Sequence, residues 1–160
     1  MNPTLAELYQ RVILQHNREP QNFGPLPQAT HHASLHNALC GDQVTLHLRL
    51  DPDADPRIVA VHFEGDSCAL ARASASLLTT KIAGRTPQQA LALAARLRAF
   101  LQPGPPSQPA PSADSQGVAT VEDELGDLVA LQGVREVPSR LRCATLPWEA
   151  LAQALAGRPG

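Results

Sequence analysis

The sequence predicts an α+β fold: a small three-stranded antiparallel sheet packed by about five helices, with residues 1–160 forming a single domain that carries a flexible proline-rich insertion at 102–120. Three observations lead there. The apolar period runs from helical to alternating and back to helical along the chain. The connections between the candidate strands are too short for a crossover helix, which leaves antiparallel pairing. Charged residues are only 18% and aromatics 3% of a chain full of Ala and Leu, a composition that favours close-packed helices of small residues. At 160 residues such a chain buries most of its surface and needs no disulfide staple.

The elements follow in order. Thr4-Leu5-Ala6-Glu7 has capping-box spacing, and Leu5, Leu8, Tyr9, Val12 and Ile13 recur at helical intervals, so an amphipathic helix opens the chain and ends near His16. Pro20, Gly24, Pro25 and Pro27 then oppose regular structure. Val44, Leu46, Leu48 and Leu50 alternate with Thr45, His47 and Arg49 as a half-buried strand does. Ile58 to Phe63 reads as its partner beyond a turn at 51–56, and His31 to Asn37 as a third strand. After Cys68 the chain turns helical, with Leu70, Ala73, Leu77 and Lys81 on one stripe and Gly84 as the stop. Thr86-Pro87-Gln88-Gln89 supplies an N-cap, a first-turn proline and a capping-box glutamine for a helix through Phe100. Gln102 to Thr120, with five prolines and almost nothing to bury, is read as an exposed insertion. Glu122 to Leu131 and Pro138 to Leu155 close the chain as helices. Pro147 opposes the carbonyl of Cys143 and implies a kink or break there.

With 13 Lys+Arg against 15 Asp+Glu and no basic run interleaved with aromatics, the chain lacks the concentrated positive face that nucleic acid requires. The residues after Met1 do not form a secretory signal, and no stretch approaches the roughly 18 apolar residues of a membrane span. The expectation is a cytoplasmic protein without nucleic-acid or membrane partners. In that compartment three cysteines read as reduced thiols or metal ligands.

Those cysteines stand in the contexts Cys40-Gly41-Asp42, Asp66-Ser67-Cys68-Ala69 and Leu141-Arg142-Cys143-Ala144. With Asp42 they offer four donors, the number that a tetrahedral Zn²⁺ needs. An extended backbone would turn Cys40 and Asp42 to the same side, with Gly41 permitting a tight approach. Cys68 falls at a helix start, where free N–H groups favour a thiolate. Without a C-x-x-C pair the spacing leaves two readings open, a shared metal site or small buried thiols, and Asp42 is equally an ordinary turn carboxylate. His36, near Cys40, is the best substitute ligand among six histidines that are otherwise surface or polar-core residues. Arg142 is either plain helix surface or a cation beside Cys143. The hydroxyl-rich stretch Ser74 to Thr80 lacks a nucleophile elbow and is read as packing and capping.

Several strings then come together: Leu8 to His16 through Pro20-Gln21-Asn22-Phe23-Gly24; Asn37-Ala38-Leu39-Cys40-Gly41-Asp42; Phe63-Glu64-Gly65-Asp66-Ser67-Cys68-Ala69 with Ala73 to Ser76; Leu125-Gly126-Asp127-Leu128; and Arg140-Leu141-Arg142-Cys143-Ala144-Thr145-Leu146-Pro147-Trp148. On these the chain resembles the U-type iron–sulfur assembly proteins, in their SufU rather than IscU subgroup. The resemblance implies an α+β fold and a zinc ion held by Cys40, Asp42, Cys68 and Cys143. It further implies transfer of persulfide sulfur from a SufS-type cysteine desulfurase, with a possible SufBCD-type assembly complex downstream. Cys40 matches the usual sulfur acceptor, freed when a desulfurase histidine takes its place on zinc, and Arg142 would steady the released charge.

Two features set the sequence apart from IscU-like scaffolds: Arg142 stands where they usually carry histidine, and residues 102–120 fall where SufU-like members have their insertion. Val137-Pro138-Ser139-Arg140-Leu141 also replaces the scaffolds' chaperone-recognition motif. Asp66-Ser67 departs from the small or glycine-rich pair common before the second cysteine. Because zinc and [2Fe-2S] clusters share sulfur-rich tetrahedral coordination, a scaffold that assembles a transient [2Fe-2S] cluster on the same ligands remains the alternative. A structural zinc adaptor is a third reading.

Overall fold

The computed structural model describes residues 5–37, 41–51, 56–102 and 125–156. The chain runs α1 (Leu5–Arg18), β1 (His31–Asn37), β2 (Asp42–Leu50), β3 (Ile58–Glu64), α2 (Ala69–Ile82) and α3 (Pro87–Leu101). A 3₁₀ segment (Gly126–Glu136), a 3₁₀ turn (Pro138–Arg140) and α4 (Leu141–Ala156) follow. The sheet is antiparallel with order β1-β2-β3, as the short connections required. Its alternation is physical: Ala33, Val44, Leu46, Leu48, Val61 and Phe63 are buried, while His32, Ser34, His36, Gln43, Thr45 and His47 point to the opposite face.

Helices cover the apolar face. α4 lies against β1, β2 and α2; α2 also packs on β3 and α1; α3 flanks α4 and the 3₁₀ segment. The loop after α1 is fixed to the sheet rim by the Gly24 N–H to Phe63 carbonyl bond of 2.9 Å and by an edge-on Phe23–Phe63 contact with ring centroids 5.1 Å apart.

α3 forms as its sequence dictates. Thr86 Oγ1 accepts the Gln89 N–H and the Gln89 side chain accepts the Thr86 N–H, a complete capping box with Pro87 in the first turn. Its apolar stripe, Ala90, Leu93, Leu97 and Leu101, is buried. α2 differs from the single stripe its sequence suggested, being buried all round from Ala73 to Thr79. Its small residues let neighbours approach from several sides, and its hydroxyls find partners on each. Ser74 Oγ donates to the Ala144 carbonyl (2.5 Å) and accepts from Trp148 Nε1 (3.1 Å). Ser76 Oγ meets His16 Nδ1 (2.6 Å) and accepts the Gln21 N–H (2.7 Å). Thr79 Oγ1 accepts from Asn22 Nδ2 (3.0 Å). These hydroxyls join elements, as the packing reading requires, rather than cap them.

Two expectations need correction. The segment predicted as a helix over Glu122 to Leu131 is 3₁₀ from Gly126 to Glu136, with 122–124 outside the described residues. Gly126 enters it at φ 57°, outside the right-handed helical region, and Leu125, Leu128, Leu131 and Val134 are all buried. Their spacing of three suits three residues per turn, a signal that a 3.6-residue template misses. Of the kink or break expected from Pro147, the break does not occur: α4 runs unbroken from Leu141 to Ala156 with Pro147 inside it. The 3₁₀ turn Pro138–Arg140 precedes it. Burial of Cys143, Ala144, Leu146, Trp148, Ala150 and Leu151 carries the helix through the proline, tertiary packing outweighing the lost backbone bond. The proline-rich insertion expected at 102–120 lies outside the described residues beyond Gln102, which caps α3.

Candidate metal centre

Three chain segments converge at one end of the sheet. Asp42 opens β2, paired in register with Asn37, the last residue of β1. The chain between them returns through Gly41, whose N–H donates to the Asn37 carbonyl (2.8 Å) and whose φ is 75°. That left-handed turn is cheap only for glycine. Gly41, at that φ, is therefore not the extended residue expected between Cys40 and Asp42. Cys40 itself lies outside the described residues.

Cys68 arrives from β3 through a tight passage. Gly65 has φ 129°, and a Cβ there would stand 2.1 Å from the Gln43 carbonyl oxygen. Only glycine lets this loop lie flat on β2. The Gln43 N–H then donates to the Asp66 carbonyl (2.9 Å), locking the loop beside Asp42. Gly65 is a positioning residue that the sequence reading passed over; a glycine just past a strand end, before a cysteine, was the available signal.

Cys68 is the N-cap of α2, and its Sγ accepts the Ala71 N–H at 3.5 Å. Its own N–H donates to Asp42 Oδ1 (2.8 Å), and its thiol lies 3.6 Å from Asp42 Oδ2. Cys143 comes from the first turn of α4, fully buried. One ligand atom each from Asp42, Cys68 and Cys143 lies within 4.8 Å of the others. Neither Cys68 nor Cys143 is in a disulfide.

The donors fit a metal. In a tetrahedral zinc site with Zn–S of about 2.3 Å, neighbouring sulfurs stand about 3.8 Å apart, inside the observed spread. The Asp42 carboxylate is only 1% exposed, and among the described residues no lysine, arginine or histidine pairs with it. A buried carboxylate needs compensating positive charge, which a divalent cation supplies. The Cys68 N–H fixes the orientation of the carboxylate as outer hydrogen bonds do for metal ligands.

Other candidates fall elsewhere. His36 pairs with Gln43 on the outer face of the sheet, so it does not share the face of Asp42 and is no substitute ligand. Arg142 is exposed at the start of α4, its Nε 3.7 Å from Glu149 Oε2, and Glu149 also accepts from Thr145 Oγ1 at 3.1 Å. No helix among the described residues is long and apolar enough to cross a membrane.

Known proteins share this sequence pattern and fold. Residues 8–119 match the NifU-like N-terminal domain family. The chain is 34% identical to the zinc-dependent sulfurtransferase SufU of Bacillus subtilis, over 99% of this chain and 97% of that one. It is 32% identical to the iron–sulfur cluster assembly scaffold protein IscU of Streptococcus pyogenes, over 94% of this chain and 84% of that one. Among solved structures, a protein of Fervidobacterium islandicum named for a scaffold role in SUF-system cluster assembly superposes with a TM-score of 0.75. It shows 28% identity, with 95% of this chain and 99% of that chain covered.

Proposed function

The chain belongs to the NifU-like N-terminal domain family, as a SufU-like member of the U-type assembly proteins, and from that membership we propose that it is a zinc-dependent sulfurtransferase. It takes persulfide sulfur from a SufS-type cysteine desulfurase for iron–sulfur cluster assembly in the cytoplasm and passes it towards a SufBCD-type complex. The observation that carries this reading is the convergence of Asp42, Cys68 and Cys143 from β2, α2 and α4. Cys40, two residues before Asp42 in the same connection, completes the set of four ligands and acts as the sulfur acceptor.

Zinc would supply a redox-inert tetrahedral centre that keeps these thiols ionised and in place. The protein's own part is nucleophilic. The Cys40 thiolate attacks the outer sulfur of the desulfurase persulfide; a new S–S bond forms as the donor's S–S bond breaks, and the electron pair leaves on the donor cysteine as a thiolate. Asp42, Cys68 and Cys143 hold the site together during the transfer. Arg142, on the exposed side of the same turn as Cys143, steadies the negative sulfur at the interface with the donor.

Mass spectrometry after reaction with L-cysteine and a SufS-type desulfurase tests this. Added sulfur on Cys40 of zinc-loaded protein is expected, with Cys40→Ser retaining some zinc but accepting none. Labelling of Cys68 or Cys143 with none at Cys40 overturns the assignment. The alternative, a scaffold that builds a transient [2Fe-2S] cluster on the same ligands, is favoured by the scaffold-named relatives. Anaerobic purification separates the two: zinc with a colourless spectrum supports sulfur transfer, and a stable visible chromophore supports the scaffold.

A further inference from the structure

The outer face of the sheet carries histidines in register across all three strands: His32 on β1 stands opposite His47 on β2, which stands opposite His62 on β3. Two of them form a directed chain. His47 Nε2 lies 2.7 Å from Glu64 Oε2, and His47 Nδ1 lies 3.0 Å from His32 Nδ1. A carboxylate only accepts, so Nε2 of His47 carries the hydrogen, and in the neutral ring Nδ1 is then a bare lone pair. That lone pair faces the Nδ1–H of His32, whose ring is exposed. His62 stands apart, its Nδ1 donating to the Pro25 carbonyl at 2.9 Å.

This is how a protein prepares an imidazole for a metal: one nitrogen donates to a carboxylate, which fixes ring and tautomer, and the other presents its lone pair. We propose that His32 and His47 form a second metal site, binding a borderline divalent cation such as Zn²⁺ through both Nδ1 atoms, with Glu64 as the carboxylate behind His47 and the remaining positions open to water. The metal takes the place of the Nδ1 hydrogen of His32, and that ring passes to its neutral Nε2–H tautomer, so no net proton is released. Two nitrogens on a tetrahedral Zn²⁺ with Zn–N of about 2.0 Å stand about 3.3 Å apart. The observed 3.0 Å therefore has to open only slightly, with the rings turned so that their lone pairs converge. The rings already stand at 86° to one another. With two protein ligands the site is exchangeable and weaker than the four-donor centre, and it is independent of the cysteines.

Zinc titration of the full chain against a fluorescent chelator tests it. Wild-type protein should bind one equivalent more than His32→Gln or His47→Gln, each of which weakens that equivalent at least tenfold and leaves cysteine-bound zinc in place. Glu64→Ala should weaken it about tenfold, within the range for loss of an outer carboxylate. Long-range ¹H–¹⁵N spectra of wild-type protein should show the Nδ1 resonances of His32 and His47 shifting with the added zinc, a readout that needs no variant to fold. Equal affinity for the additional equivalent in wild type, H32Q and H47Q, or resonance shifts confined to other histidines, overturns the proposal.

Discussion

α2 and α3 follow one another in the chain, are built from similar small apolar residues, and are held by opposite means. α3 is a peripheral helix specified locally, by the Thr86–Gln89 capping box and one buried stripe. α2 is enclosed, touching α1, β3, α4 and the 3₁₀ segment, and its first turn is fastened from outside by Asp42 on β2. Of these two helices, the one that opens on a candidate metal ligand is thus the one packed on several sides by distant segments. A site assembled that way shares the fold's cooperativity, whereas α3 can be perturbed without disturbing it.

Removing the proposed zinc should separate the two helices most. Structural zinc sites contribute apparent binding energies of about 10–16 kcal/mol, so chelation should lower the thermal midpoint by more than any single substitution discussed below. Hydrogen exchange should accelerate in the first turns of α2 and α4 while α3 stays protected. Uniform loss of protection would erase the distinction. Leu77→Ala, at a fully buried α2 position, should cost about 2–5 kcal/mol in denaturant unfolding, whereas Leu91→Ala on the exposed face of α3 should change little.

Ser74→Ala strands the Trp148 indole N–H inside the core and should cost about 1–3 kcal/mol, with a change in tryptophan fluorescence reporting the altered contact. Thr86→Ala removes the α3 cap and should cost about 1 kcal/mol, leaving zinc content and sulfur acceptance unchanged. A loss of zinc in T86A would show that the helices are coupled after all.

The smallest effect is set by pH. Burial pushes His16 below its usual 6.5, an effect partly offset by the negative charge of Asp127, and its ring is tied to Ser76 on α2. As pH falls through 6.5 the unfolded chain takes up a proton that the folded one resists. Stability therefore drops on acidification until the folded-state value is passed, and it is fully present above 6.5. His31, lowered by burial and by neighbouring His32, contributes in the same direction. Midpoints measured from about pH 7 to about pH 5 should show a slope that is reduced in His16→Gln.

Local patterns were enough for much of the fold. Alternation in 44–50, the Thr86 capping box and the Gly84 stop are short-range signals, because pleat and caps are decided within a few residues. The 3₁₀ segment was legible only in a period of three, which competes poorly with the helical template over a short span. α4 passes through Pro147 because packing against the sheet overrides a local rule.

For the candidate site, the sequence by itself offered donors of suitable kinds, three thiols and a carboxylate, with one cysteine at a helix start, and left open whether they share a metal. What only the tertiary structure decided is which of them meet. Asp42, Cys68 and Cys143 are brought within 4.8 Å by β2, the Gly65 passage and the packing of α4 on the sheet, while His36 is carried away by nothing more than strand parity. Contacts between distant segments depend on how whole elements dock, and that free energy is summed over a core rather than written in any one stretch of chain.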